Sequence, residues 1–239
     1  MGSGDATRPA RAVVFDYGGV LTTPSRVALR GWMEQEGVLP ETFSAALKEW
    51  LSRSAPPGTP IHRLETGEIS AEEFNRTLAQ RLRTRDGGPV APEGLLQRMF
   101  ARLDSEPAML DLVRALRQRG VRTALLSNSW GNEYPWDVLD GLFEVTVVSA
   151  DVRLRKPDPR IYRLVLDRLG LPAEQVVFVD DGAPNVDAAE QLGMRAVLHT
   201  DPADTRARIA ELTATPVDVE PPIAPDGAAG AAPRGKETR

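Results

Sequence analysis

The sequence predicts an α/β protein: a parallel sheet with helices on both faces, interrupted early by an all-helical insert. Three observations predict it. Ala12–Val13–Val14–Phe15 is a short apolar run that stops at Asp16 and two glycines, Gly18 and Gly19, the pattern of a strand buried on both faces, as in a parallel sheet. From residue 107 onward, an amphipathic helix, a glycine and an apolar strand follow one another three times, the alternation that lays down parallel strands through crossover helices. Between these two regions, residues 26–104 carry only helical periodicity.

The elements follow in order. Residues 1–9 are small and polar and read as disordered. After the first strand, Thr22–Thr23–Pro24–Ser25 is a polar turn that suits a helix N-terminus or a hinge. Val27, Trp32 and Met33 mark one amphipathic segment, and Phe43, Leu47, Trp50 and Leu51 a second. The run 55–60, with three prolines and a glycine, breaks the chain. Ser70–Ala71–Glu72–Glu73 is a capping box that opens a third helix with Phe74 and Leu78. That helix runs out in the solvated charges of 81–85, and a fourth over about 93–103 carries Leu95, Leu96, Met99 and Phe100. Met109, Leu112, Val113 and Leu116 then line a helix that Gly120 closes before a strand over 121–126. Ile161, Leu164, Val165 and Leu169 precede Gly170 and a strand over 176–179. Val186, Ala189 and Leu192 precede Gly193 and a strand over 196–198. The expected division is a core of 10–23 and 105–213, a helical insert of 24–104, and a disordered tail of 214–239, too poor in apolar residues to order itself.

Composition removes several classes of function. The chain has 239 residues, 29 Lys and Arg against 34 Asp and Glu, and the basic residues are dispersed, which argues against a nucleic-acid partner. It has no cysteine, so disulfides, thiolate metal sites and cysteine nucleophiles are excluded. Two histidines, His62 and His199, do not make a histidine-rich zinc site. No apolar run is long enough to span a membrane. The first ten residues lack the apolar core of a signal peptide, so the expected location is the cytoplasm. Asn75–Arg76–Thr77 matches the glycosylation pattern, read as coincidence without a secretion signal. Nothing in the sequence reports the oligomeric state.

The chemistry-bearing residues stand at strand ends or at a loop–helix junction. Asp16 follows the first strand, Ser127–Asn128 the second, and Asp180–Asp181 the strand over 176–179, while Lys156 lies in Arg155–Lys156–Pro157–Asp158–Pro159. In a parallel sheet these strand ends share one edge, where ligands bind. A carboxylate there is costly unless it is paired or holds a metal. Trp32, Trp50, Trp130 and Trp136 read chiefly as packing residues, with Trp130 and Tyr134 also candidates for a substrate wall.

The ordered motifs Phe-Asp-x-Gly-Gly-Val, Ser-Asn, Lys-Pro-Asp-Pro and Asp-Asp-x-x-x-Asn resemble those of the haloacid dehalogenase-like hydrolases over residues 11–200. The insert is similar to the helical cap of that family's first structural subgroup. Its stretch Leu64-Glu65-x-Gly67-Glu68-Ile69 resembles caps of glucose-phosphate-type phosphatases and of the phosphatase domain of bifunctional epoxide hydrolases. The resemblance implies a Rossmann-like core and a phosphatase in which Asp16 is the nucleophile and forms an aspartyl-phosphate. It implies magnesium held by Asp16, the Gly18 carbonyl and Asp181, with Asp180 near or through water and Asn185 orienting the metal shell. Ser127, Asn128 and Gly19 would bind phosphate, and Lys156 would neutralise phosphate and nucleophile. The implied partner is a small phosphorylated substrate.

The sequence departs from the family at Gly18, where most of its phosphatases carry a second aspartate as general acid and base. His62 and Glu65 are candidate substitutes, since they lie in a polar stretch of the insert. Two rival readings stand beside the phosphatase: a metal-free 2-haloacid dehalogenase, and a catalytically weak binding or scaffold module.

Overall fold

The computed structural model describes residues 8–52, 55–131 and 134–216. The expected disorder of residues 1–7 and 217–239 lies outside them. The flanking residues are tied down. The Arg8 carbonyl accepts from Arg195, the Ala10 N–H donates to the Leu212 carbonyl at 2.8 Å, and the Thr215 N–H donates to the Ala210 carbonyl at 3.1 Å.

The strands are β1 (Ala12–Phe15), β2 (Arg122–Ser127), β3 (Val145–Val148), β4 (Val176–Asp180) and β5 (Arg195–Leu198). They form one sheet in the order β3-β2-β1-β4-β5, with every pairing parallel. Helices α1 (Ser25–Glu36), α2 (Pro40–Leu51), α3 (Pro60–Glu65), α4 (Ala71–Arg81) and α5 (Leu95–Phe100) fall between β1 and α6 (Pro107–Gln118). The remaining helices are α7 (Trp136–Leu139), α8 (Ser149–Val152), α9 (Pro159–Leu169), α10 (Ala183–Gln191) and α11 (Pro202–Thr213). Among the described residues no helix is long and apolar enough to cross a membrane.

The period-2 alternation of β1 sorts the layers. Val13 and Phe15 face Met109, Leu112 and Leu116 of α6 and Ile209 of α11. Ala12 and Val14 face Ile161, Tyr162 and Val165 of α9 and Ala189 of α10. All four β1 residues are fully buried, which is why the segment reads as an unbroken apolar run. Helix α9 begins as its sequence directs: Asp158 accepts the Arg160 N–H at 2.9 Å and Pro159 occupies the first turn.

The helical insert has its own core around Trp32, Phe43, Trp50, Phe74, Leu78 and Met99. The Ser70 hydroxyl caps α4 by accepting the Glu73 N–H at 3.2 Å. Asn75, in the glycosylation-like triplet, is buried, and its side-chain carbonyl accepts the Leu96 N–H at 3.1 Å. Val27 is 58% exposed; Ala28 and Trp32 form the buried face of α1 instead.

The structure adds elements that the periodicity did not show. Strand β3 is four residues long, and the helix before it, α7, is also four. Neither is long enough for a period to emerge, so the helix–glycine–strand signature fails at this one crossover. Helices α3 and α8 are similarly short. Helix α11 has a weak apolar stripe, but Asp201 caps it through the Ala203 and Asp204 N–H groups at 2.9 and 3.0 Å. The second strand begins at Arg122 and ends on Ser127, one residue later than the apolar run 121–126, because the Val121 N–H still closes the preceding helix on Leu116.

Candidate active site

The sheet is wound outward from β1 to β2 and β3 on one side and continues through β4 and β5 on the other, which makes the carboxyl ends of β1 and β4 the switch point where open α/β sheets bind ligands. The register places Phe15 opposite Val179, so Asp16 and Asp180 stand level on neighbouring strands. Adjacent strands are about 4.8 Å apart, and the two carboxylates are forced together by the sheet itself. Ser127 ends β2 on the other side of β1.

Lys156 bridges the two acids. Its side chain is 1% exposed, and Nζ lies 2.7 Å from Asp16 Oδ1 and 2.6 Å from Asp180 Oδ2. Burial alone would lower the lysine pKa, but the Asp16 and Asp180 carboxylates outweigh it and hold the ammonium charged. The Asn128 amide fixes the backbone that carries Lys156: Oδ1 accepts the Lys156 N–H at 2.8 Å, and Nδ2 donates to the Lys156 carbonyl at 3.1 Å. Asp180 is further held by the Gly182 N–H at 2.8 Å and Asn185 Nδ2 at 2.9 Å, both on Oδ1.

The nucleophile candidate is oriented from one side. Asp16 Oδ1 accepts from Lys156 and from the Tyr17 N–H at 2.7 Å. Among the described residues no donor reaches Oδ2. Burial pushes the Asp16 pKa up to about 7; Lys156 pulls it back and Asp180 adds to the rise. Burial, and then the charge of Asp180, also raises Asp181.

Oxygen atoms of Asp16, Asp180 and Asp181 lie within 4.8 Å of one another. Three carboxylates face one ammonium, so a divalent cation with a preference for oxygen ligands fits the charge and the donor set. Asp180 already has donors on both oxygens, whereas Asp181 is exposed.

Gly19 makes the approach of Asp181 possible. Its φ is +79°, and a Cβ there would fall 2.3 Å from Asp181 Oδ2. The Gly19 N–H donates to the buried hydroxyl of Thr22 at 2.9 Å. Gly19→Ala is expected to displace Asp181 and to cost about 1–2 kcal/mol for the left-handed backbone alone. A drop in thermal midpoint together with weaker divalent-cation binding by calorimetry checks this; an unchanged cation affinity contradicts it.

Ser127, Asn128, Asn185, Trp130 and Tyr134 join Asp16 and Lys156 on the wall of one cavity of about 470 Å³ between the sheet edge and the insert. The Tyr134 hydroxyl lies 3.0 Å from Ser127 Oγ, and its ring packs 4.9 Å from that of Tyr17. Burial raises the Tyr134 pKa to about 12, so it remains a hydrogen-bond donor.

His62 and Glu65 do not line this cavity. Glu65 is a buried fastening between insert and core. Its carboxylate accepts Trp130 Nε1 at 3.0 Å and pairs with Arg155, and its carbonyl accepts from Ser149 Oγ. The Ser149 hydroxyl also accepts the Ser129 N–H at 2.8 Å. The sequence marks Thr22 only as part of a polar turn and does not single out Gly182 or Ser149. The polar turn at Thr22 and the glycine after the paired acids were the available signals.

A parallel sheet with an aspartate just past its central strand, and a buried lysine shared with a second acid, defines a Rossmann-like α/β core carrying a helical insert. The chain belongs to the haloacid dehalogenase-like hydrolases: the family model of that description matches residues 10–193. It is 30% identical to bifunctional epoxide hydrolase 2 of Sus scrofa over 83% of this chain, but that alignment spans only 38% of the relative's length. It is 26% identical to a sesquiterpene phosphatase of Aspergillus oryzae over 84% of this chain and 96% of that one. Among solved structures, a family member from Bacteroides thetaiotaomicron, in complex with magnesium and inorganic phosphate, superposes with a TM-score of 0.61. It has 20% identity and covers 80% of this chain and 94% of that one. The L-2-haloacid dehalogenase RSc1362 also gives 0.61, at 25% identity, over 84% of this chain and 99% of that one.

Proposed function

We propose that the protein is a magnesium-dependent phosphatase that hydrolyses a small phosphate monoester through an aspartyl-phosphate on Asp16. The observation that carries this reading is the meeting of a lysine-oriented carboxylate with two further acids at one strand edge. The phosphatase-named relative of nearly equal length supports it. So does the magnesium and phosphate bound by the Bacteroides enzyme.

Asp16, the Gly18 carbonyl and Asp181 would hold the ion, with Asp180 near it or through water. When bound, magnesium offsets the like charges of nucleophile and phosphate. Asp16 Oδ2 attacks phosphorus while Lys156 and the Tyr17 N–H steady Oδ1. Ser127 and the Asn128 backbone donate to the phosphoryl oxygens, and Lys156 neutralises charge that builds there. The bond from phosphorus to the ester oxygen breaks, and the departing alkoxide takes a proton from solvent water. Water then attacks phosphorus, the bond to Asp16 breaks, and inorganic phosphate leaves with the carboxylate restored. Asn185 keeps Asp180 aimed at Lys156 throughout. The insert acts as a cap that excludes water and selects the ester.

Gly18 leaves the departing alcohol without the aspartate usual in the family. A Cβ on Gly18 would meet Ser25 Oγ at 3.7 Å, an ordinary contact, and no positive φ stands in the way. Gly18→Asp therefore meets no clash at its Cβ. Since a placed general acid contributes about 10²–10⁴ in rate, the variant is expected to accelerate alkyl esters at least tenfold. It should also flatten the dependence on leaving-group acidity. An unchanged slope contradicts the idea that this position limits turnover.

The metal-free dehalogenase reading draws support from the RSc1362 likeness, but two adjacent carboxylates beside the nucleophile repel one another without a cation. Magnesium-dependent phosphate release from an aryl phosphate, lost in Asp16→Asn, supports the phosphatase. Halide release from a 2-haloacid without metal, and no phosphate release, overturns it.

A further inference from the structure

We infer that the substrate is the phosphate monoester of an apolar alcohol of about ten carbons, with its chain held by the inner wall of the insert. This rests on the phosphatase reading and names the group on the ester oxygen. The insert closes the cavity with Leu29, Leu47, Leu51, Leu96, Phe100 and Leu103. Its polar contributions to the wall are Ser25 and Gln97. A sugar or nucleoside would press several hydroxyls against leucine side chains with few partners, and unpaired polar groups are expensive to bury. An alkyl or terpenoid chain meets no such penalty.

Charge narrows the class further. Among the described residues, the charged side chains on the cavity wall are Asp16 and Lys156, and they pair with each other. A second phosphate, or a carboxylate at the far end of the substrate, would find no cation there. The wall therefore favours a monophosphate over a diphosphate, and a neutral chain over an acidic one. Size sets the scale: at about 30 Å³ per water-sized group, a cavity of about 470 Å³ covers about fifteen heavy atoms, and a longer chain extends into solvent. A phosphoryl group takes about five of these, leaving room for about ten carbons.

The partner residues are also suited to a test. Leu51 is 46% exposed, and Leu47 is half-buried at the edge of the insert's core, so a thermal melt of the double variant accompanies its kinetics.

The experiment measures kcat/KM with magnesium for straight-chain alkyl monophosphates from ethyl to dodecyl, with glucose 6-phosphate, glycerol phosphate and decyl diphosphate as comparators. The expected result is a rise of about three- to fourfold per added methylene, levelling off near ten carbons, with all three comparators far below decyl monophosphate. The Leu47→Gln, Leu51→Gln double variant should lower the preference for decyl over ethyl at least tenfold. A flat series, with Asp16-dependent turnover of ethyl phosphate, overturns this inference and leaves the phosphatase standing. Absence of Asp16-dependent turnover for every ester overturns both. A full preference retained by the double variant overturns the assignment of the chain to this wall.

Discussion

Asp16→Asn is expected to lower magnesium-dependent phosphate release by about 10⁴-fold or more, as loss of a covalent nucleophile does, without lowering thermal stability. The two halves of this expectation have separate causes. In the proposed mechanism activity falls because an amide oxygen is a poor nucleophile and the Oδ2 atom assigned to attack phosphorus is gone. Stability holds because the native site is crowded with negative charge. Burial and Asp180 raise the Asp16 pKa to about 7, so ionised Asp16 is a cost to the fold in the absence of a cation. Asparagine has nearly the same shape and no charge, and Lys156 keeps Asp180 as its partner at 2.6 Å. Thermal unfolding without magnesium should show the variant equal to or above the parent. A variant that loses activity and also unfolds several degrees lower would mean that Asp16 is a structural anchor.

Lys156→Met is expected to do the opposite to stability. Asp180 is fully buried, and its Oδ2 accepts from the ammonium that the substitution deletes. Breaking one side of a buried ion pair costs about 3–5 kcal/mol. For a chain of this size that corresponds to a fall of about 6–20 °C in thermal midpoint. Because the two carboxylates raise the lysine pKa above its free value, the contribution is fully present at neutral pH. It is lost only as pH climbs beyond the ordinary lysine range through the raised value. Adding Asp180→Asn to Lys156→Met removes the orphaned charge and should recover a large part of the lost midpoint. If the single variant melts like the parent, the lysine is not the element that makes two buried acids tolerable.

Most of the sheet was legible because β1 and β4 are buried on both faces, and burial of that kind writes itself as a run of apolar residues ended by an acid. Asp16, Ser127, Asn128, Lys156, Asp180 and Asp181 stand out for the same reason: polar groups at the ends of such runs have to be explained by pairing or by a ligand. Strand β3 was not legible, because four residues after a four-residue helix carry no period. The partners within the site were also hidden. Asn128 fastens the Lys156 backbone across twenty-eight residues, and Glu65 ties the insert to Trp130 and Arg155 over still longer separations. No local pattern encodes such pairs.

The cavity wall shows a different limit. Leu47, Leu51, Leu96 and Phe100 fall at helical spacings, and that pattern is the same whether a side chain packs against protein or faces a substrate. Only the arrangement of α1, α2 and α5 over the sheet edge separates the two. Gly18 is a case in which the sequence speaks by omission: the position is identified by the motif around it, and its missing carboxylate directs attention to the leaving group.

The central claim is tested most directly by rapid acid quench of the magnesium-loaded enzyme during turnover of an aryl phosphate, followed by mass measurement of its peptides. The account predicts one phosphoryl group on the peptide that contains Asp16, cleavable by base and absent in Asp16→Asn. Phosphate released at full rate with no phosphoryl group on that peptide at any quench time would contradict it.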